Sequence, residues 1–325
     1  MRILITGITG RIGSNLAAAL LREGHSVRGL VWPRDPQVEK LRGLDVELQE
    51  GSLTDPEDVR RAMEGVEVVY HLGAAFQAGG PFSEEDYFET NVRGTFLMLE
   101  AARAQPTPPQ FLFASTDGVY DKYPPGGMRE PIREDTMPRR PRGWYSISKA
   151  MGEELCQGYW RSYELPVTVL RFCLVVGPGE ILDFPQFYLS RLKDQNPEIA
   201  PLWTGEERLV LLKDAQGRPH KKQIAEVRDI VHGCVCALGK SEVAGEIIQL
   251  AGPRPFTWDE AVPHLSRRLG IPYIEAVSSG IPTFYEFDLS KARRLLGFEP
   301  TVDIARMIDA AVAFRRGEES SVRPR

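Results

Sequence analysis

The chain has 325 residues, 42% hydrophobic and 26% charged, with 45 acidic against 40 basic side chains and a formal net charge of −5. This is a globular balance over a length that suits one large domain or two joined ones, and its acidity argues against nucleic acid as the main partner, because phosphate binding needs a basic surface. No apolar run approaches the roughly 20 residues of a membrane span, no secretion signal precedes the first strand, and the four cysteines lack metal-ribbon spacing, so a reduced, cytoplasmic protein that binds neither membrane nor metal is expected.

Residues 3–5 are bulky and apolar, as a buried parallel strand requires. They run into Gly7, Gly10 and Gly13, and a helical stretch from Ser14 to Glu23 follows. Between a strand and a helix, the first glycine permits a tight turn. The second lets the backbone approach a ligand, and the third lets the helix pack closely on the strand. Free backbone N–H groups and the positive end of the helix then converge on one point, which suits a pyrophosphate.

Ser26–Trp32 reads as a second strand and Val46–Glu50 as a third. Asp55–Met63 is helical, with Pro56 in the first turn behind a cap at Asp55. Val66–Leu72 is a fourth strand. Ser83–Arg103 is a long helical region with an acidic start, inside which Gly94 is unexplained by propensity. A strand at Gln110–Ala114, a helix at Trp144–Tyr163 and a strand at Val167–Phe172 complete the alternation. Six strands alternating with helices predict an α/β fold, a Rossmann-type doubly wound parallel sheet covered on both faces.

The pattern then changes. Residues 173–222 contain Gly177-Pro178-Gly179, scattered prolines and mixed charge. Arg208–Lys213 and Gln223–Val227 read as short strands. Asp229–Leu238 reads as a helix in which Cys234 and Cys236 are buried rather than redox-active. A strand at Glu246–Leu250 and helices at Trp258–Leu269, Asp288–Leu296 and Val302–Arg315 follow, before a polar tail, Gly317–Arg325, expected to fray. The expected division is a dinucleotide-binding domain over 1–172, with 223–251 returning to it, and a smaller interleaved C-terminal substrate lobe over most of 173–325.

Tyr145 and Lys149 stand at i and i+4, one above the other on a helix face. A phenol is a poor base at neutral pH, and a neighbouring ammonium lowers its pKa. The pair can therefore act as a general acid or base on a hydroxyl or carbonyl. Upstream, an apolar strand ends in Ser115, Thr116 and Asp117. Ligands sit at the carboxyl ends of strands in an open parallel sheet, which places these hydroxyls near a reacting oxygen.

Over nearly its whole length the chain resembles the extended short-chain dehydrogenase/reductases, and among them the NAD-dependent epimerase/dehydratase family. The resemblance is carried by Thr6–Gly13, His71–Ala75, Asn91–Thr95, Ser115–Tyr120, Tyr145–Lys149, Leu170–Phe172 with Gly177–Gly179, and Val227–Val231. It implies hydride transfer between a secondary alcohol carbon, of a sugar or sugar nucleotide, and nicotinamide C4. It implies Thr116 as the hydroxyl of the catalytic set, Tyr145 as the proton carrier, and Lys149 as the residue that binds the nicotinamide ribose and lowers the tyrosine pKa. Asn91 would support the helix that carries the lysine. Leu72, Gly73 and Ala74 would line the pyrophosphate and adenosine side. The cofactor-binding set expected is Gly7, Thr9, Gly10, Arg11, Ile12, Gly13, Trp32, Arg34, Ser52, Leu53, Leu72, Gly73, Ala74, Asn91, Ser115, Tyr145, Lys149 and Phe172. The family also implies a homodimer paired through its long helices.

Three departures from the family pattern bear on function. The acidic residue that ends the second strand in NAD-specific members is Val31 here, followed by Trp32, Pro33 and Arg34. Arg34 and Arg11 are candidate forks for a 2′-phosphate, so NADP is favoured over NAD, although Asp35 could serve the ribose if the loop bends. Ser52-Leu53 replaces the usual adenine-contacting Asp. Asp117 is followed by Gly118 where dehydratases have Glu, so Asp117 could protonate a leaving hydroxyl but the carbon base is missing. Leu174 stands near the position where many sugar-nucleotide members place a pyrophosphate-binding Asn. Lys221, Lys222 and Arg228 remain candidate anion ligands. An epimerase, a net NADP-dependent reductase of a non-nucleotide carbonyl, and a non-catalytic dinucleotide-binding protein are the three readings open at this point.

Overall fold

The computed structural model describes residues 1–76, 82–318, 320, 322 and 323. The first half alternates β1 (Arg2–Thr6), α1 (Arg11–Arg22), β2 (Ser26–Val31), β3 (Val46–Glu50), α2 (Pro56–Met63) and β4 (Val68–His71). Then come α3 (Glu84–Tyr87), α4 (Gly94–Arg103), β5 (Gln110–Thr116), α5 (Gly143–Tyr163) and β6 (Val167–Phe172). The second half holds β7 (Val175–Val176), α6 (Leu189–Leu192), β8 (Leu209–Lys213), β9 (Lys221–Lys222), β10 (Ala225–Glu226) and α7 (Val227–Ala237). It ends with β11 (Ile247–Leu250), β12 (Phe256–Thr257), α8 (Trp258–Leu269), β13 (Tyr273–Val277), α9 (Ser290–Leu296) and α10 (Ile304–Arg315).

Seven strands form one parallel sheet in the order β11-β6-β5-β4-β1-β2-β3. Successive side chains along a strand point to opposite faces, and both faces are apolar here. Ile3, Ile5, Tyr70 and Leu112 pack with α1 and α7 residues on one side. Leu4, Val69, Phe111 and Phe113 pack with α2, α4 and α5 residues on the other. Ile3, Leu4 and Ile5 are fully buried, each contributing about 1.5–3 kcal/mol. The chain reverses its direction of strand addition between β1 and β4. A crevice opens there at the carboxyl ends of the strands, the position where open α/β sheets bind ligands.

The second half of the chain holds a separate apolar cluster, built on Trp258, Phe187, Leu209 and Ile308. Within it β8 pairs in parallel with β13, a strand not expected from sequence. The expected strand Gln223–Val227 is instead the two-residue β10. The Glu226 carboxylate accepts from the Arg228 N–H and starts α7 at Val227.

Two other local expectations change. The helical region after Ser83 is broken by a π-helical segment at Phe88–Arg93. Gly94 follows it, and a Cβ there would lie 3.3 Å from the Leu53 Cβ and carbonyl oxygen; glycine lets the helix sit on that loop. The tail does not simply fray. Val322 is buried in the main core, and Arg323 exchanges backbone hydrogen bonds with the Asn15 side chain; residues 319, 321, 324 and 325 of that tail lie outside the described residues. Among the described residues no helix is long and apolar enough to cross a membrane, and no group of metal-ligating side chains converges.

Candidate active site

The glycine turn joins β1 to α1 and meets the end of β4. Gly7 has φ +69°, and a Cβ on it would lie 2.8 Å from Gly73. A Cβ on Gly13 would lie 2.2 Å from the Gly7 carbonyl oxygen. These two glycines are required by backbone contacts. At Gly10 the nearest atom to such a Cβ is the Gly7 oxygen at 3.2 Å, and the residue borders the crevice. Gly10 is also the N-cap of α1 and offers no side-chain cap. The first N–H groups of the helix therefore need another acceptor, and an anion at this place meets that need.

The crevice is a cavity of about 550 Å³. Gly7, Thr9, Gly10, Arg11, Ile12 and Gly13 line it, with Leu72, Gly73, Ala74, Ser115, Thr116, Asp117, Tyr145, Lys149 and Phe172. A second cavity continues past Gly7 and Thr9, bordered by Trp32, Arg34, Asp35 and Leu53. The two together form an elongated cleft, the shape a dinucleotide needs.

At its centre the Thr116 hydroxyl accepts from the Gly118 N–H at 3.1 Å and favours the ionised form of the Tyr145 phenol, which lines the same cavity. The Phe76 ring stands edge-on to the Tyr145 ring at 5.1 Å. Burial, and then the Asp117 carboxylate, hold the phenol above its usual pKa range. The expectation that Lys149 lowers it is not met in this arrangement. The Lys149 ammonium lies 4.2 Å from the Phe113 ring centroid, and burial pushes it down to about 8.

Behind this pair runs a buried polar network. The Asn91 side chain accepts from the Ala75 N–H at 2.7 Å and donates to the Ala75 carbonyl and to Ser148 Oγ at 2.9 Å. Ser148 in turn donates to the Tyr145 carbonyl. Asn91 thus ties the loop after β4 to the turn of α5 between Tyr145 and Lys149; it does not line the cleft. Ser115 is also a supporting residue. Its hydroxyl donates to Glu153 at 2.6 Å, and Glu153 is paired with the fully buried Arg171 at 2.7 Å.

Several expected contacts differ. The Arg11 guanidinium bonds the Glu180 carboxylate and the Val175 carbonyl, so it fastens α1 to the second half of the chain and does not reach towards β2. The Ser52 hydroxyl bonds Thr54 and does not line either cavity, whereas Leu53 does. Arg34 is exposed at the rim with φ +60°. Asp35 turns inward, and Thr9 donates to it at 2.7 Å. Lys221 pairs with Glu286 and Arg228 with Glu226. Lys222 lines the cleft, as do Lys122, Tyr123 and Tyr285, which sequence reading did not single out. Asp117 is paired with Lys122.

Residues 3–251 match the family described as the NAD dependent epimerase/dehydratase family. The chain is 28% identical to UDP-glucuronate 4-epimerase 1 of Arabidopsis thaliana, over 93% of this chain and 73% of that protein. It is also 28% identical to an uncharacterized UDP-glucose epimerase of Bacillus subtilis, over 97% and 98% of the two chains. A short-chain dehydrogenase/reductase superfamily protein from Agrobacterium tumefaciens, solved with bound NAD, superposes with a TM-score of 0.84 at 31% identity over 98% of each chain. This chain therefore belongs to the NAD-dependent epimerase/dehydratase family, as an enzyme of the extended short-chain dehydrogenase/reductase type.

Proposed function

We propose that this enzyme is an NAD-dependent epimerase of a sugar nucleotide or related sugar. The observation that carries this reading is that Thr116, Tyr145 and Lys149 line one cleft with the glycine turn. The names of the relatives support the substrate class. NAD supplies, when bound, a hydride acceptor at its nicotinamide ring.

This chain's residues do the rest. The Gly10 turn and the uncapped end of α1 bind the pyrophosphate. Asp35 takes the adenosine ribose hydroxyls, and its charge disfavours a 2′-phosphate, so NAD replaces NADP as the cofactor read from the sequence. Trp32 and Leu53 flank the adenine. Lys149 holds the nicotinamide ribose. Tyr145, once its phenol has given up its own proton, accepts the proton of the substrate hydroxyl and returns it, and the Thr116 hydroxyl favours that phenolate. Asp117 accepts from Lys122 and lacks a neighbouring Glu, so dehydration has neither a free acid nor a carbon base.

The exposed Phe88, Phe96, Met151 and Tyr163 of the π segment, α4 and α5 support pairing of two copies through this face. Four free cysteines suit a reducing compartment such as the cytoplasm. A second reading, net oxidation of a non-nucleotide sugar, is favoured by Leu174. It stands 37% exposed and lines the cleft where an apolar side chain gives phosphate no donor.

The test is turnover of the purified protein followed at the NADH absorbance. Epimerisation interconverts two sugars with no net NADH and fails in Tyr145→Phe by roughly 10²–10⁴-fold. Stoichiometric NADH accumulation would establish the second reading instead. A loss under about threefold in Tyr145→Phe would remove the tyrosine from its role.

A further inference from the structure

The wall of the cleft beyond Thr116 carries a second group of charges: Asp117, Lys122 and Lys222. All three are more than nine-tenths buried, with exposures of 7%, 8% and 8%. Lys122 pairs with Asp117, and its ammonium also lies 5.1 Å from the Tyr285 ring. Lys222 is different. Among the described residues no carboxylate pairs with it, and its ammonium lies 4.9 Å from the Phe184 ring. Burial, and then the Lys122 charge, push it down to about 8. Its backbone is fixed in β9 against Phe256.

The buried wall thus holds two ammonium groups and one carboxylate, and Lys122 alone is paired with it. A buried charge without a partner is costly, and an arriving anion offsets that cost. The excess is a single positive charge, which matches a monoanion. The two groups are ammonium point charges with no guanidinium fork beside them, whereas a diphosphate is matched by fork geometry and helix N-termini. The subsite adjoins the reacting oxygen, because Asp117 follows Thr116 in the chain and its charge acts on the Tyr145 phenol.

Resting on the reading of Tyr145 and the cleft above, we propose that Lys222 and Lys122 form a subsite for a substrate carboxylate close to the alcohol carbon that gives up hydride. The substrate is then a sugar acid, either free or carried on a nucleotide. The names of the relatives include both an acidic and a neutral sugar, and Lys222 is the residue that decides between them here.

The experiment is calorimetric titration of the NAD-loaded protein with matched pairs. D-glucuronate is compared with D-glucose, and UDP-glucuronate with UDP-glucose; the galacto pairs are run alongside. Wild type is expected to prefer the acid by about tenfold or more in at least one pair. The free and nucleotide arms tell which source carries the carboxylate. Lys222→Met should remove that preference while leaving the neutral sugar within about threefold, and Lys222→Arg should keep most of it. Tyr145→Phe should leave the preference intact, so the result does not depend on turnover. Absence of preference in every pair overturns the subsite. So does an equal loss for acid and neutral sugars in a folded Lys222→Met. Failure of the epimerase reading shows separately, as net NADH in the turnover assay.

Discussion

The Thr9 hydroxyl donates to Asp35 at 2.7 Å. This bond joins the glycine turn to the loop after β2 and turns a carboxylate inward, four residues beyond the Val31 end of the strand. The Asp35 side chain also accepts from the Gln37 N–H at 2.8 Å and caps the turn that follows. Asp35→Asn can keep that cap through its one amide oxygen, but it removes the charge and puts an N–H donor where Thr9 now finds an acceptor. NAD affinity is expected to fall about fivefold, and the ratio of NAD to NADP affinity by about tenfold or more. Arg34→Ala, at the exposed rim, should leave NAD affinity within about twofold. Paired fluorescence titrations with both cofactors check this; a wild type that binds NADP more tightly would contradict the role of Asp35.

Gly10 and Gly13 make different demands. A side chain at Gly10 has its space in the cleft, so Gly10→Val is expected to fold and to lose cofactor affinity by about tenfold or more, by occupying the pyrophosphate path. A Cβ at Gly13 meets the Gly7 carbonyl at 2.2 Å, so Gly13→Ala is expected to lose stability by about 1–3 kcal/mol or more. Urea unfolding and calorimetry of both variants separate the two effects. Unchanged cofactor affinity in folded Gly10→Val would mean that the dinucleotide does not sit on this turn.

The parts of the site that were legible in the sequence are those written locally. A strand, three spaced glycines and a helix lie within the first 22 residues, and Tyr145 and Lys149 are one helical turn apart. Period-two alternation along β5 also holds the difference between Ser115, which faces Glu153, and Thr116, which lines the cleft with the phenol. Lys122 was not legible, because it reaches Asp117 from an irregular loop without periodicity. Nor was Tyr285, which is brought to the cleft by the backbone pairing of Lys221 with Phe284 and Tyr285. The direction of the Asp35 carboxylate depends on a loop bend that no sequence pattern encodes. The Arg11–Glu180 pair is not legible either, because its two members lie 169 positions apart.

Phe88, Phe96, Met151 and Tyr163 are exposed by 41%, 42%, 38% and 56%. An apolar face of this kind is covered when two copies pair across it, and a stable interface buries about 1,200–2,000 Å². Light scattering at micromolar concentration is expected to give the mass of a dimer for wild type and of a monomer for Phe96→Glu. A monomeric wild type would rule out pairing through these helices.

His71 supplies the pH dependence. The Thr95 hydroxyl donates to the Asn91 carbonyl at 2.6 Å, so it accepts from His71 Nε2. Burial keeps the ring neutral, so Nδ1 accepts from the Thr6 hydroxyl at 2.8 Å, and Thr6 accepts from the Gly73 N–H. The neutral ring acts as a strut under the loop that borders the cleft. Burial, and then the Lys149 charge, push its pKa down to about 3. In the unfolded chain the same ring titrates near the ordinary value of about 6.5. Between these values the unfolded state binds the additional proton, so stability rises with pH there and is lost as pH falls below about 6.5. From pH 7 to pH 5 this one group accounts for a loss of about 2 kcal/mol. His220, pushed down to about 4 by burial, acts in the same direction. His71→Asn removes the titration. It should be less stable than wild type at pH 7, but its loss between pH 7 and pH 5 should be smaller by about 2 kcal/mol. Urea midpoints at the two pH values measure both quantities, and an equal loss in wild type and variant would show that the folded state tolerates a protonated His71.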